Sequence, residues 1–281
     1  VVDRLSHAKT RTTLAAVLIA ELVCGLLLLG NTGPTQPDPP MAAAGSLTTP
    51  SSAPTPQTLQ DGRTVRLIGL GERTAPLLRR ISAQLDDAAD AVTAFWGPDW
   101  PREIVLVAAG TEEQFAAVGG GDSHTAATTT GERIMFAPGA AQMSDESLRI
   151  VLRHELFHYA ARDATAADAP QWLTEGVADF VARPPTPLPE DAAAVAGAGL
   201  PTDAELSGPD RSLAYDRAWW FSRFVADTYG TAALKDLYVR ACGHGHPDVA
   251  TAVQDALGTD LAAVLAAWRQ WLTWGHRPPG G

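Results

Sequence analysis

SDESLRIVLRHELFHYAAR, residues 144–162, is the stretch on which the reading of this chain turns. Ser144 is a good N-cap, and Asp145 and Glu146 fall in the first turn, where the helix dipole favours carboxylates. A helix is therefore expected over Asp145–Arg162. Inside it stand His154, Glu155 and His158. Two histidines four apart project from one face of a helix, so both imidazoles can reach one ion. Zinc accepts neutral imidazole nitrogen readily, and a catalytic zinc site keeps only three protein ligands so that water has a place. Glu155 sits beside that face, positioned to take a proton from such a water. An amphipathic helix with polar residues on its solvent side gives the same letters by chance. Here Ile150, Val151, Leu152, Leu156 and Phe157 surround the motif, and solvent exposure would be odd in so apolar a helix.

The next segment, QWLTEGVADF at residues 171–180, supplies the third ligand. Pro170 suits a helix start. Glu175 and Asp179 are four apart and share a face of this second helix. Packed against the first helix, Glu175 completes a metal shell, and Asp179 accepts the second N–H of a ligand histidine, fixing its tautomer. Gly176 permits close approach of the two helices. An acidic pair on a helix is usually a solvated face; beside an HExxH helix, and inside an apolar run, the metal reading is preferred.

Around this pair the chain reads as one globular domain with appendages. The 281 residues carry a formal charge of -11, which argues against a nucleic-acid partner and against anionic lipid surfaces for the folded part. Cys24 and Cys242 form no disulfide framework, and Cys242 is expected to be buried and inert. Arg4, Lys9 and Arg11 precede an apolar run from Leu14 to Gly30, the pattern of a signal peptide or a signal anchor over residues 1–30. The positive flank places everything after it outside the membrane. Residues 31–58, rich in Pro, Thr, Ser and Ala, cannot bury enough apolar surface to order themselves and read as a stalk. The folded domain is assigned to 59–281. Strands are expected at Thr64–Leu70, Glu103–Ala109 and Glu132–Ala137. One helix is expected from Arg73 to Trp96 and a short one over Glu112–Val118. Residues 119–131 read as a Gly-rich loop. Further helices are expected at Gln171–Ala182, Ser212–Tyr229, Ala232–Ala241, Pro247–Leu257 and Asp260–Trp274, with a long loop over Arg183–Pro209. Strands first and helices afterwards imply an α+β domain.

HELFH followed by a helix carrying Glu-x-x-x-Asp resembles the gluzincin metallopeptidases. The chain is most similar to bacterial peptidase MA-like domains, whose second helix reads Trp-Leu-x-Glu-Gly, here Trp172 to Gly176. Later helices agree, with Tyr215 to Tyr229-Gly230 and then Leu257-Gly258 followed by Trp268. The resemblance implies a zincin-like fold with a small mixed sheet whose edge strand binds substrate, assigned here to Glu132–Ala137. It implies hydrolysis of peptide bonds and one Zn2+ per chain held by His154, His158 and Glu175, with Glu155 as general base. Tyr215 is a candidate donor to the oxyanion, weighed evenly against a core tyrosine. No Gly-x-Met-Glu-Asn segment precedes the motif, which disfavours an aminopeptidase.

His244, His246 and His124 read as loop residues, and Trp219, Trp220, Trp268, Trp271 and Trp274 as packing of the last helices. The function expected is that of a zinc peptidase acting on peptide or protein substrates, anchored to the cell membrane by its N-terminal segment or secreted. The competing class is a non-catalytic extracellular module that keeps zinc for stability and binds peptides without cleaving them.

Overall fold

The computed structural model describes residues 56–117, 125–189, 192, 197 and 199–274. The expected membrane segment, the stalk up to residue 55 and His124 lie outside the described residues. Strands β1 (Gln57–Thr58) and β2 (Thr64–Leu70) lead into α1 (Ala75–Ser82) and α2 (Leu85–Trp96). Then come β3 (Glu103–Ala109), α3 (Glu112–Ala117), β4 (Ala127–Thr129) and β5 (Ile134–Phe136). The remainder is mainly helical: α4 (Asp145–Ala161), α5 (Gln171–Ala182), a single-turn α6 (Asp203–Leu206), α7 (Arg211–Tyr229), α8 (Thr231–Cys242), α9 (Val249–Leu257) and α10 (Leu261–Trp274). The fold is thus the expected α+β class, a small mixed sheet followed by a helical C-terminal half. Among the described residues no single helix is long and apolar enough to cross a membrane.

The sheet runs β1-β2-β3-β5-β4. Its centre is parallel, β2 to β3 to β5, and both edges are antiparallel. Strand residues alternate faces, and each face has its own core. Val65, Ile104, Leu106, Ala108, Ile134 and Phe136 point into the main core beneath the helices. Val107, Ala109, Met135 and Ala137 point the other way, where Phe115 of α3 covers them. A sheet covered on both faces explains why EIVLVAA is apolar almost throughout rather than alternating.

Two expectations are corrected. The strand expected at Glu132–Ala137 is the shorter β5, and it is internal, flanked by β3 and β4. The edge belongs to β4, Ala127–Thr129, in the segment read as a Gly-rich loop. The helix expected over Arg73–Trp96 is two helices. At the break, Ala83 and Gln84 close tightly onto Arg79 and Ile81, while the Ser82 carbonyl accepts from the Gln57 side chain. Leu77, Ile81, Leu85, Ala88, Val92 and Phe95 all remain buried across the break, so apolar spacing alone could not reveal it. Paired structure also begins at Gln57, two residues inside the expected stalk.

Helix α4 lies at the centre of the domain, packed against α2, α5 and β4. Phe157 anchors it through edge-on contacts with Phe95, Trp96 and Tyr238, and the Tyr159 hydroxyl donates to the Glu103 carbonyl at 2.9 Å. Helix α5 is held between α4 on one side and α7 on the other. Gly176 makes the second contact possible: a Cβ built there would stand 2.6 Å from the Ala218 carbonyl oxygen and 2.9 Å from the Ser222 hydroxyl, both on α7.

Gly176→Ala sets two effects against each other. Helix propensity gains about 1 kcal/mol, whereas overpacking against a backbone carbonyl costs about 1–3 kcal/mol and moves α5. A net loss is expected, seen as a lower urea midpoint with an unchanged slope.

Candidate metal centre

Helix α4 starts as its sequence demands: Ser144 caps it, its side chain accepting from the Ser147 N–H. Ten residues on, His154 and His158 leave the helix on the face turned towards α5. Helix α5 begins after Pro170 and presents Glu175 and Asp179 to them. The result is a tight triangle. His154 Nε2 is 2.9 Å from His158 Nε2 and 3.1 Å from Glu175 Oε2, and the last two atoms are 3.6 Å apart. Three ligands at zinc bond lengths in tetrahedral array would be about 3.3 Å from one another, so these edges bracket that value. A His-His-Glu group of this kind can hold a metal ion.

Hydrogen-bond accounting points the same way. His154 Nδ1 lies 2.9 Å from Asp179 Oδ1. A carboxylate can only accept, so Nδ1 carries the proton and Nε2 offers a lone pair. That lone pair faces the second imidazole and a carboxylate oxygen. Atoms this close need a hydrogen or a metal ion between them: the N–H of His158 in its Nε2 tautomer, an added proton, or a metal. Glu175 Oε1 and Glu155 Oε1 are both buried without a hydrogen-bond partner among the described residues.

Burial is nearly complete: His154 is 2% exposed and Glu155 and Glu175 are 0%. Burial works to raise the Glu175 pKa, but the two imidazoles outweigh it and hold that carboxyl down at about 2. Burial likewise opposes a charged His154, and its hydrogen bonds to Asp179 and Glu175 more than reverse this, so its pKa is raised. His158 follows the same logic, raised by Glu175 and Glu155 against burial. Glu155 is raised, first by burial, with the imidazoles and Thr129 pulling against that. The Thr129 hydroxyl on β4 reaches both Oε2 and the backbone carbonyl of Glu155. The edge strand thereby touches the carboxylate of the motif.

All of His154, Glu155, His158, Glu175 and Asp179 come together as expected from the sequence. Tyr215 stands buried in the second turn of α7, the helix packed against α5. His246 lies elsewhere, its Nδ1 2.9 Å from the carbonyl of Pro247, which follows it. Two residues were not anticipated. Thr129 lay in what read as a loop, with no signal to single it out. Arg183, the first residue beyond α5, ion-pairs with Asp179 at 2.6 Å and with Asp216 of α7 at 2.7 Å. Its position four residues after Asp179 was visible in the sequence; its burial was not.

A family model for the eCIS core domain matches residues 109–166. That family is associated with zincin-like, metallopeptidase-like domains. The matched stretch runs from the end of β3 through α4 and contains both histidines of the motif, while Glu175 and Asp179 lie beyond it. No curated protein matches the sequence.

The triangle is directly testable with zinc as the probe. One ion per chain is expected, lost in His158→Ala. Because both imidazole pKa values are raised above 6.5, protons compete for the site at near-neutral pH. Zinc affinity should therefore fall on acidification, starting above pH 6.5, and rise as pH increases. Competition with a chromophoric chelator across pH measures it; a flat profile would contradict this geometry.

Proposed function

We propose that this chain is a zinc-dependent metallohydrolase of gluzincin type that cleaves peptide bonds. The observation that carries the reading is the buried convergence of His154 Nε2, His158 Nε2 and Glu175 Oε2, with the unpartnered Glu155 Oε1 on the same helix. Two imidazoles and one carboxylate make a donor set suited to zinc, and three ligands rather than four is the composition of catalytic sites. A zinc ion there supplies Lewis acidity and a charge that acidifies water at neutral pH.

The chain's own groups account for the rest. Asp179 holds the His154 proton on Nδ1, so Nε2 stays a ligand throughout the cycle. Glu155 Oε1 takes a proton from the attacking water and passes it to the leaving amine nitrogen. Thr129 occupies Oε2, which leaves Oε1 as the working oxygen. A carboxyl pKa raised by burial brings this base closer to neutral, where proton transfer in both directions is efficient. Strand β4 is the last strand of the sheet among the described residues, and an extended peptide can add to its outer side by backbone pairing beside Glu155. Tyr215 serves as a donor to the oxyanion. Residues 1–30 as a signal peptide or anchor, with a stalk after them, put this activity outside the cytoplasmic membrane.

Glu155→Gln separates catalysis from metal binding. The variant is expected to keep its zinc and to lose roughly 10²–10⁴-fold in peptide turnover, the usual contribution of a general base. Unchanged turnover in the variant would remove Glu155 from the mechanism. Wild-type protein that holds zinc and binds peptides without cleaving them would instead establish the non-catalytic binding module.

A further inference from the structure

Behind the histidine–carboxylate contact is a second layer that the catalytic reading does not use. Asp179 spends one oxygen on His154 Nδ1, at 2.9 Å. Its other oxygen lies 2.6 Å from Nη2 of Arg183, an ion pair without the angles of a straight hydrogen bond. The neighbouring Nη1 of Arg183 donates to Asp216 Oδ1 on α7 at 2.7 Å. The guanidinium lies over the Trp219 ring, 4.9 Å from its centroid. Arg183 is thus a buried fork: its side chain is 12% exposed, against 5% for Asp179 and 31% for Asp216.

We propose that Arg183 is a positioning residue for the metal centre, bridging Asp179 to Asp216 so that the carboxylate behind His154 is held in one orientation. The inference rests on the metal reading of His154, His158 and Glu175. Three physical points support it. Asp179 is almost fully buried, and Arg183 places a cation directly against its second oxygen. A planar guanidinium holds two nitrogens apart on one rigid frame, so it meets Asp179 with one and hydrogen-bonds Asp216 with the other, which a lysine's single ammonium does not reproduce. Arg183 is also anchored by its own backbone, its N–H donating to the Asp179 carbonyl at 2.9 Å as α5 ends. The fork therefore ties the end of α5, the orientation of a ligand imidazole and the second turn of α7 into one unit.

The test is zinc affinity, together with the visible spectrum of the cobalt-loaded protein, on the 281-residue chain. Arg183→Gln is expected to weaken zinc binding about 10–100-fold, the usual effect of losing a group that orients a ligand. Asp216→Asn and Arg183→Lys should give smaller losses in the same direction, and the cobalt bands should move in Arg183→Gln. Arg240→Gln, which breaks an exposed ion pair with Asp236 on α8, serves as the charge control and should leave affinity unchanged. A purely structural role for Arg183 would lower the melting temperature of the metal-free protein while leaving zinc affinity and cobalt bands as in wild type; that result overturns the proposal. If Arg183→Gln does not fold, wild-type affinity in both Arg183→Lys and Asp216→Asn overturns it equally. Wild-type protein that takes up no zinc fails the metal reading itself and this inference with it, and wild type alone shows that case.

Discussion

Two imidazole nitrogens and a carboxylate oxygen facing one another at 2.9–3.6 Å are the constraint around which this domain is arranged. With neither a proton nor a metal ion between them, their lone pairs would repel at a cost that burial enlarges. Here the cluster is built deliberately: α4 contributes two atoms from one face, and α5 contributes the third. For these helices to stay this close, both must be fixed from behind. Phe157 and its ring of Phe95, Trp96 and Tyr238 hold α4 from the side of α2 and α8. Helix α7 holds α5, approaching it closely at Gly176. The C-terminal half, seen this way, is a clamp on the second ligand helix, and its aromatic residues fill the clamp: Trp172, Phe221 and Trp268 pack edge to face in series.

The sheet serves the site through its last strand. Strand β4 is three residues long, yet it is the edge, it packs against α4, and its Thr129 hydroxyl meets Glu155. One short element thus combines the last place in the strand order, among the described residues, with direct contact to the carboxylate of the motif. The parallel centre of the sheet plays a different part. Buried on both faces, it gives α4 a rigid floor through Leu106, Ile134 and Phe136.

Charge is layered outward from the triangle. The imidazoles are backed by Asp179, Asp179 by Arg183, and Arg183 by the half-buried Asp216. Alternating sign lets each buried group find an opposite partner, and the series ends where solvent can take over. Burial raises Asp216 and Glu155, while Glu175, between two imidazoles, is driven down. The same chemical group therefore behaves oppositely within one domain: at Glu175 the imidazoles outweigh burial, and at Glu155 and Asp216 lost hydration outweighs the neighbouring positive groups.

What the sequence determined by itself was whatever depends on local spacing. HExxH on a capped apolar helix, and Glu-x-x-x-Asp on the next, are helical periodicities, and a helix turns by the same angle wherever it sits. His154, His158, Glu155, Glu175 and Asp179 could therefore be picked out as one cluster before any fold was known, as could the bounds of α5 and β3. The tertiary structure decided everything that depends on who lies next to whom. Strand order placed β4, not β5, at the edge, because pairing partners are chosen across the chain and three residues of Ala and Thr carry too little pattern to announce a strand. The break between α1 and α2 escaped detection because the apolar spacing runs through it unbroken. Arg183 read only as the first residue of a long loop, since nothing local says that Asp216, 33 positions later, will fold back against it. Local geometry chose the residues of the cluster; long-range packing chose the groups that hold them in place.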